Sequence, residues 1–208
     1  FKLNMEEYPQ AANPHDSYAD YLMEKGDLKE ARKHYVKAVS MAEKSTNDNE
    51  KELVRMSKAK IAKLDNKHKI LDFLVGKWDV ISTNLGEGRG SGTYSGIDEY
   101  VRNEDENLIM INHLDERGEI VGKRLMVYDA LDDEYDVAYI DTRTPLGISL
   151  SSMKLKEVGS DTYEFSEKFM DAKEDSKKIK HELKKNQDGT MDWVIYEAEA
   201  NKNDWKKV

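Results

Sequence analysis

The spacing of apolar residues changes once along this chain, around Gly76-Lys77-Trp78. Up to about residue 66 the apolar residues recur at helical intervals, and from Leu71 onward they alternate with polar residues. One type of element cannot satisfy both periods, because helices repeat every 3.6 residues and strands every 2. The sequence therefore predicts two domains, a helical one over residues 1–66 and an antiparallel β domain over residues 70–208.

Composition limits the partners that such a protein can have. Charged residues make up 36% of the 208 residues, but 38% are hydrophobic and regularly placed, which is typical of a folded, well-solvated protein. The formal net charge of -9 repels phosphate backbones and anionic lipid headgroups, so neither nucleic acid nor a membrane surface is expected as a partner. The sequence has no cysteine and no apolar run near the roughly 18–20 residues that span a bilayer. We therefore expect a soluble protein, and both the cytoplasm and the periplasm are compatible with it.

Three helices are predicted in the first domain. Asn13 is a candidate N-cap for a helix that starts at Pro14, and Gly26 breaks this helix before a second one begins at Leu28. A third helix is expected over about 48–64, with a lysine-rich face typical of a cap at the end of a helical stack. Its predicted apolar stripe consists of Leu53, Met56, Ile61 and Leu64.

The first two of these helices resemble a tetratricopeptide repeat. Residues at the consensus positions of that repeat are Tyr18, Ala19, Leu22, Gly26, Ala31, Tyr35 and Ala38. The repeat period, applied backwards, places Phe1 in the second helix of a preceding repeat, so we expect the natural chain to continue upstream. The resemblance implies either a docking surface or a spacer and cap. It also favours a protein partner, or self-association, through the apolar side near Phe1, Leu3 and Met5.

The second domain is predicted to contain about ten strands joined by short turns. Such a meander closes most simply into an up-and-down barrel, which leaves no exposed sheet edge. A short helix is expected over 70–74, and the glycine-rich segment 86–92 is interpreted as a loop at the barrel mouth. The predicted strands are 78–84, 92–102, 108–115, 120–128, 135–141, 148–156, 162–169, 177–185, 191–198 and a last one from Trp205.

Three short motifs in this half resemble an uncharacterised bacterial family of lipocalin-like domains within the calycins. They are Gly76-Lys77-Trp78 after the short helix, Val127-Tyr128-Asp129, and Tyr139-Ile140-Asp141. The resemblance implies a barrel with an internal cavity and structural roles for Gly76 and Trp78, with Trp78 buried at the closed end. It implies no established activity.

Strand alternation supplies the candidate ligand-binding residues, which are Arg124, Tyr139, Asp141, His113 and Tyr128. Arg124 can pair with an anionic headgroup, or it can form a structural salt bridge. His113 shares a face with Ile109 and Ile111, where a histidine is more often hydrogen-bonded inside a protein than a metal ligand. A register error of one residue would turn the affected strand inside out.

These residues leave three functions open. The first is a non-enzymatic module that binds a small, partly apolar or amphipathic ligand; the second is a structural or interaction domain whose barrel is filled by its own side chains. The third is an enzyme that uses His113 and Asp141 for acid-base chemistry. No metal-binding or cofactor motif is present in the sequence, so neither is expected. A cavity of at least about 300 Å³ would favour binding over the structural role.

Overall fold

A computed structural model of the protein describes residues 1–85, 92–102, 107–143, 147–170 and 177–208. Contacts divide the chain into two compact units: Phe1–Ile70 with Asp129–Asp132, and Leu71–Tyr128 with Asp133–Val208. The prediction of a helical part followed by an antiparallel ten-stranded sheet is confirmed. The predicted glycine-rich loop falls almost entirely on residues 86–91, outside the described residues.

The helical unit contains α1 (Lys2–Glu7), α2 (Ala12–Glu24), α3 (Leu28–Ala42) and α4 (Asp48–Leu64). The prediction that Asn13 caps α2 is wrong, because the helix already begins at Ala12. Pro14 then lies inside the first turn, where a missing N–H removes no helical hydrogen bond. In the described part of the chain, no helix combines the length and the apolar character needed to cross a membrane.

Small residues allow α2 and α3 to pack closely. Ala19 and Ala31 are fully buried, and Tyr35 fills the adjoining space at 1% exposure. On α4 the buried residues include Val54 and Ser57, while Met56 is 45% exposed. The predicted stripe is therefore wrong at Met56, because the buried face follows the helical spacing from Val54 rather than from Leu53.

Two short 3₁₀ turns occur where a single short helix was predicted. Lys67–Lys69 precedes the first residue of the β unit, and Asp72–Leu74 lies within the unit. Ten strands follow, and each pairs with its neighbours in chain order. They are β1 (Gly76–Asn84), β2 (Gly92–Val101), β3 (Leu108–Asp115), β4 (Ile120–Asp129), β5 (Glu134–Asp141), β6 (Ile148–Gly159), β7 (Thr162–Phe169), β8 (Lys177–Lys185), β9 (Met191–Glu199) and β10 (Lys206–Lys207).

The sheet is curled like a half-barrel, so the prediction of a closed barrel is wrong. Among the described strands, β1 forms one edge and β10 the other. The pairing of β10 involves only Lys206 with Glu197 and Lys207 with Tyr196. A strand of two residues offers too few N–H and C=O groups to form a second ladder with β1.

Gly76 and Trp78 connect the last 3₁₀ turn to the first strand. Gly76 has φ of +134°, a conformation that essentially only glycine adopts without strain. The indole Nε1 of Trp78 donates a hydrogen bond to the carbonyl of Leu74 at 2.8 Å. Trp78 is half-buried on an edge strand rather than buried at a closed barrel floor.

Candidate functional site

One face of the sheet carries most of its buried side chains, and we call it the inner face. Alternation along the strands brings these side chains to the same side. Their burial identifies the face on which a bound molecule would be sheltered from water. The inner-face residues that are most deeply buried include Tyr100, Ile111, Met126, Tyr135, Met153, Phe165 and Leu183.

Asp98 and His113 face each other on this inner face. They are directly opposite in the β2–β3 ladder, and Nδ1 of His113 lies 2.7 Å from Oδ1 of Asp98. A carboxylate accepts hydrogen bonds, so Nδ1 carries a proton, and in the neutral imidazole the lone pair is then on Nε2. Nε2 is buried and has no hydrogen-bond partner among the described residues.

Arg124 lies on the neighbouring strand of the same face, opposite Ile111. Its Nε is buried, and nothing in the described parts of the chain accepts a hydrogen bond from it. Arg124 also acts electrostatically on Tyr100. Burial raises the pKa of Tyr100 and Asp98 raises it further, whereas Arg124 acts to lower it. The Nε–H of Arg124 thus lies in a sheltered place without an acceptor among the described residues.

Tyr139 approaches both groups because Gly122 makes room for it. Gly122 is opposite His113, and a Cβ placed on Gly122 would come 2.8 Å from the Tyr139 hydroxyl oxygen. The Tyr139 ring is 6.0 Å from the His113 ring and 5.8 Å from the guanidinium carbon of Arg124. We call Asp98, His113, Arg124 and Tyr139 the Arg124 cluster.

A second polar group on the inner face is fully hydrogen-bonded. Trp193 Nε1 donates to Nδ1 of His181 at 3.0 Å, so His181 uses its Nε2–H to donate to Glu167 at 2.8 Å. Ser151 also donates to Glu167, at 2.7 Å. Burial pushes the pKa of Glu167 upward, but the hydrogen bonds from His181 and Ser151 outweigh it and the pKa is lowered. With both ring nitrogens of His181 engaged, this group stabilises the sheet and has no free base to offer.

Two of the sequence candidates lie outside the Arg124 cluster. The Tyr128 hydroxyl donates to Asp133 at 2.5 Å and its ring contacts Tyr135, so it holds the connection between β4 and β5. Asp141 accepts the backbone N–H of Arg143 at 2.8 Å at the end of β5. The carboxylate that contacts His113 is thus Asp98 and not Asp141.

Sequence reasoning missed Asp98, Gly122, Glu167 and the environment of His181. Alternation along β2 places Asp98 on the same face as Tyr100, so the sequence pattern could have identified Asp98 as an inner-face residue. His181 likewise stands between Ile179 and Leu183 in an alternating strand. Which strands are neighbours, and which residues are opposite, depends on ladders that local alternation does not specify.

An open cleft of about 430 Å³ lies elsewhere, where the β6–β7 and β8–β9 hairpins end. Its lining includes Ser160, Asp161, Lys184 and Lys185, and it contains no member of the Arg124 cluster. Within the described ranges, no three His, Asp or Glu residues converge as metal ligands would. The cleft is lined mainly by exposed hairpin residues, so it is a weaker candidate than the inner face.

No family model matches the chain, and no curated protein matches it. The function must therefore be inferred from the geometry of the inner face.

Proposed function

We propose that the β unit binds a small, partly apolar molecule on its inner face, with an anionic end at Arg124. The observation that carries the proposal is the pair of buried nitrogens, Arg124 Nε and His113 Nε2, for which the described residues supply no hydrogen-bond partner. The buried apolar residues of the same face, such as Ile111 and Met126, would contact the rest of the ligand.

The free-energy cost of these nitrogens supports a ligand. A buried polar group without a partner costs about 1–3 kcal/mol, and more when it is charged. The contact between Arg124 and the Tyr139 ring offsets about 0.5–2 kcal/mol of this, but an aromatic face is no substitute for a hydrogen-bond acceptor. A carboxylate, sulfonate or phosphate oxygen would accept from Nε and neutralise the guanidinium.

The lipocalin-like assignment is part of the proposal. It is supported by the ten-stranded meander, by the 3₁₀ turn before Gly76, and by the hydrogen bond of Trp78 to that turn. The helical unit is proposed to be a tetratricopeptide-like interaction segment. Its buried Ala19, Ala31 and Tyr35 support this assignment, and the exposure of Phe1 and Leu3 supports a protein contact.

A structural role is the second candidate, and a specific observation favours it. Around Glu167 the inner face is filled by its own side chains: Met153, Phe165 and Leu183 are at most 1% exposed, and His181 has both nitrogens bonded. A sheet filled in this way over its whole inner face would have no space for a ligand. The binding function therefore predicts that a ligand contacts Arg124, whereas the structural function predicts that no ligand does.

Two dyes that differ in charge test the proposal. Anilinonaphthalene sulfonate carries aromatic rings and a sulfonate, and phenylnaphthylamine is its uncharged counterpart. We expect Arg124→Gln to weaken sulfonate-dye binding at least about tenfold, equivalent to about 1.4 kcal/mol, and to leave the neutral dye unaffected. Arg117→Gln, in an exposed turn, is the matched control and should change neither affinity. Equal binding of the sulfonate dye by the wild type and Arg124→Gln would contradict the proposal and favour the structural role.

A further inference from the structure

Two buried or half-buried histidines on the inner face each contact a carboxylate, but they differ in what remains free. His181 gives its Nε2–H to Glu167 and accepts from Trp193 at Nδ1, so its lone pair is occupied. His113 gives its Nδ1–H to Asp98, and its Nε2 is buried with no partner among the residues described. Only His113 therefore keeps a basic nitrogen that can take a proton.

We propose that His113 is a general base in an acid-base site, with Asp98 as its positioning residue. Asp98 holds the proton on Nδ1, orients the ring, and stabilises the imidazolium that forms when Nε2 takes up a proton. Arg124 is the charge-stabilising group. This inference rests on the proposed function and deepens it: the oxygen that Arg124 holds is a carbonyl oxygen, which becomes anionic when His113 removes the neighbouring proton.

The register places the base and the cation at a useful separation. His113 is opposite Gly122 and Arg124 is opposite Ile111, so His113 and Arg124 are diagonal neighbours on one face of adjacent strands. Diagonal neighbours have their side-chain origins roughly 7–8 Å apart. For this chemistry, a substrate oxygen at the guanidinium and the neighbouring carbon must lie between these two side chains, with the carbon about 3–3.5 Å from Nε2.

The chemical class of substrate is a β,γ-unsaturated carbonyl compound, whose enolate is conjugated with the neighbouring double bond. The C–H bond next to the carbonyl breaks, its proton goes to Nε2 of His113, and the electron pair stays on the substrate as an enolate. The enolate oxygen pairs with Arg124. Return of the proton from His113 to another carbon of the conjugated system gives an isomer of the substrate. The sequence of steps is redox-neutral and consumes no co-reactant.

Three side chains surround His113 on the inner face: Asp98 on β2, Arg124 on β4 and Tyr139 on β5. The carboxylate of Glu167 on β7 lies within electrostatic reach of Arg124.

Ring opening of 5-nitrobenzisoxazole measures such a base without knowledge of the natural substrate. A base removes the proton from its ring carbon, the N–O bond breaks, and a coloured cyanophenolate is released. We expect His113→Gln to lower kcat/KM at least about tenfold, and Asp98→Asn to lower kcat more than KM and to alter the pH profile. His34→Gln, in the helical unit, is the matched control and should have the wild-type rate.

The outcomes separate this inference from the proposed function. Sulfonate-dye binding by His113→Gln at wild-type affinity would show that the site is intact, so a lost rate would be due to the missing base. Wild-type turnover by His113→Gln or by Asp98→Asn would overturn the inference while leaving the dye result for Arg124 untouched. As a check on the folded wild type, ¹⁵N spectra of His113 should show the proton on Nδ1, and a proton on Nε2 alone would equally overturn it.

Discussion

Replacing Glu167 with glutamine tests the buried network that surrounds His181. The Glu167 side chain is 11% exposed and accepts hydrogen bonds from His181 and Ser151. Glutamine has nearly the same shape but carries no charge. It can still accept from His181 while its amide donates to the Ser151 hydroxyl, so neither polar atom needs to lose its partner.

The expected cost follows from the loss of charge assistance. Hydrogen bonds to a charged group contribute about 1.5–3 kcal/mol, and neutral ones about 0.5–1.5 kcal/mol. Because Glu167 accepts two such bonds, its replacement by glutamine costs roughly 2 kcal/mol or more. Part of this cost is offset because glutamine does not require a charge to be buried. We therefore expect Glu167→Gln to lower the free energy of unfolding at pH 7 by about 1–2 kcal/mol.

The pH dependence gives the sharper test. Because the folded-state pKa of Glu167 is lowered, its contribution to stability is fully present above the unfolded value of about 4.3. The contribution is lost as the pH falls through the lower, folded-state pKa, where Glu167 becomes protonated. The difference in stability between the wild type and Glu167→Gln should therefore begin to shrink as the pH falls below about 5, and it should disappear once the pH is below the folded-state pKa of Glu167.

Urea unfolding followed by tryptophan fluorescence at pH 7, 5, 4 and 3 provides the measurement. Glu164→Gln, on the same strand, is the control: Glu164 is 30% exposed and 4.0 Å from Lys180, so its replacement should cost less than about 1 kcal/mol. A loss below about 0.5 kcal/mol for Glu167→Gln at pH 7, or a loss that is the same at every pH, would show that the charge of Glu167 does not stabilise the network.

Two further predictions concern the first strand of the β unit and the first helix of the helical unit. In a urea melt, Trp78→Phe should lower the free energy of unfolding by about 1 kcal/mol and Trp78→Ala by about 2–3 kcal/mol, because the side chain is half-buried and donates one hydrogen bond to Leu74. Equal values for the two variants would show that the ring does not contribute. Sedimentation should show concentration-dependent self-association that Phe1→Ser and Leu3→Ser together abolish, because these side chains are 64% and 72% exposed; a wild-type monomer at high concentration would contradict this.

Local sequence was sufficient for the elements themselves. The predicted bounds of β3, β7 and β8 are those of the structure, because alternation and turn residues are properties of neighbouring positions. The same holds for α4, whose ends lie at the predicted residues. The errors at Asn13 and Met56 were also local, since a proline in the first turn and a shift of one residue in a helical stripe change little in the pattern.

Alternation also assigned Arg124, His113 and Tyr139 to one face, and the ladder brings them together. It did not identify Asp98 as the carboxylate at His113, because that contact depends on which residue of β2 is opposite, a choice that no single strand encodes.

Closure of the sheet was likewise decided only in three dimensions. Ten alternating segments are consistent with a barrel or with an open, curled sheet, since each strand carries the same inward and outward pattern in both. The difference lies in the hydrogen bonds between the first and last strands, which are far apart in the chain. The strands, their order and the residues that share a face within each strand thus follow from local periods of two or 3.6 residues. The partners of each polar side chain are fixed only in the folded chain, because a hydrogen bond requires atoms from distant segments to meet within about 3 Å.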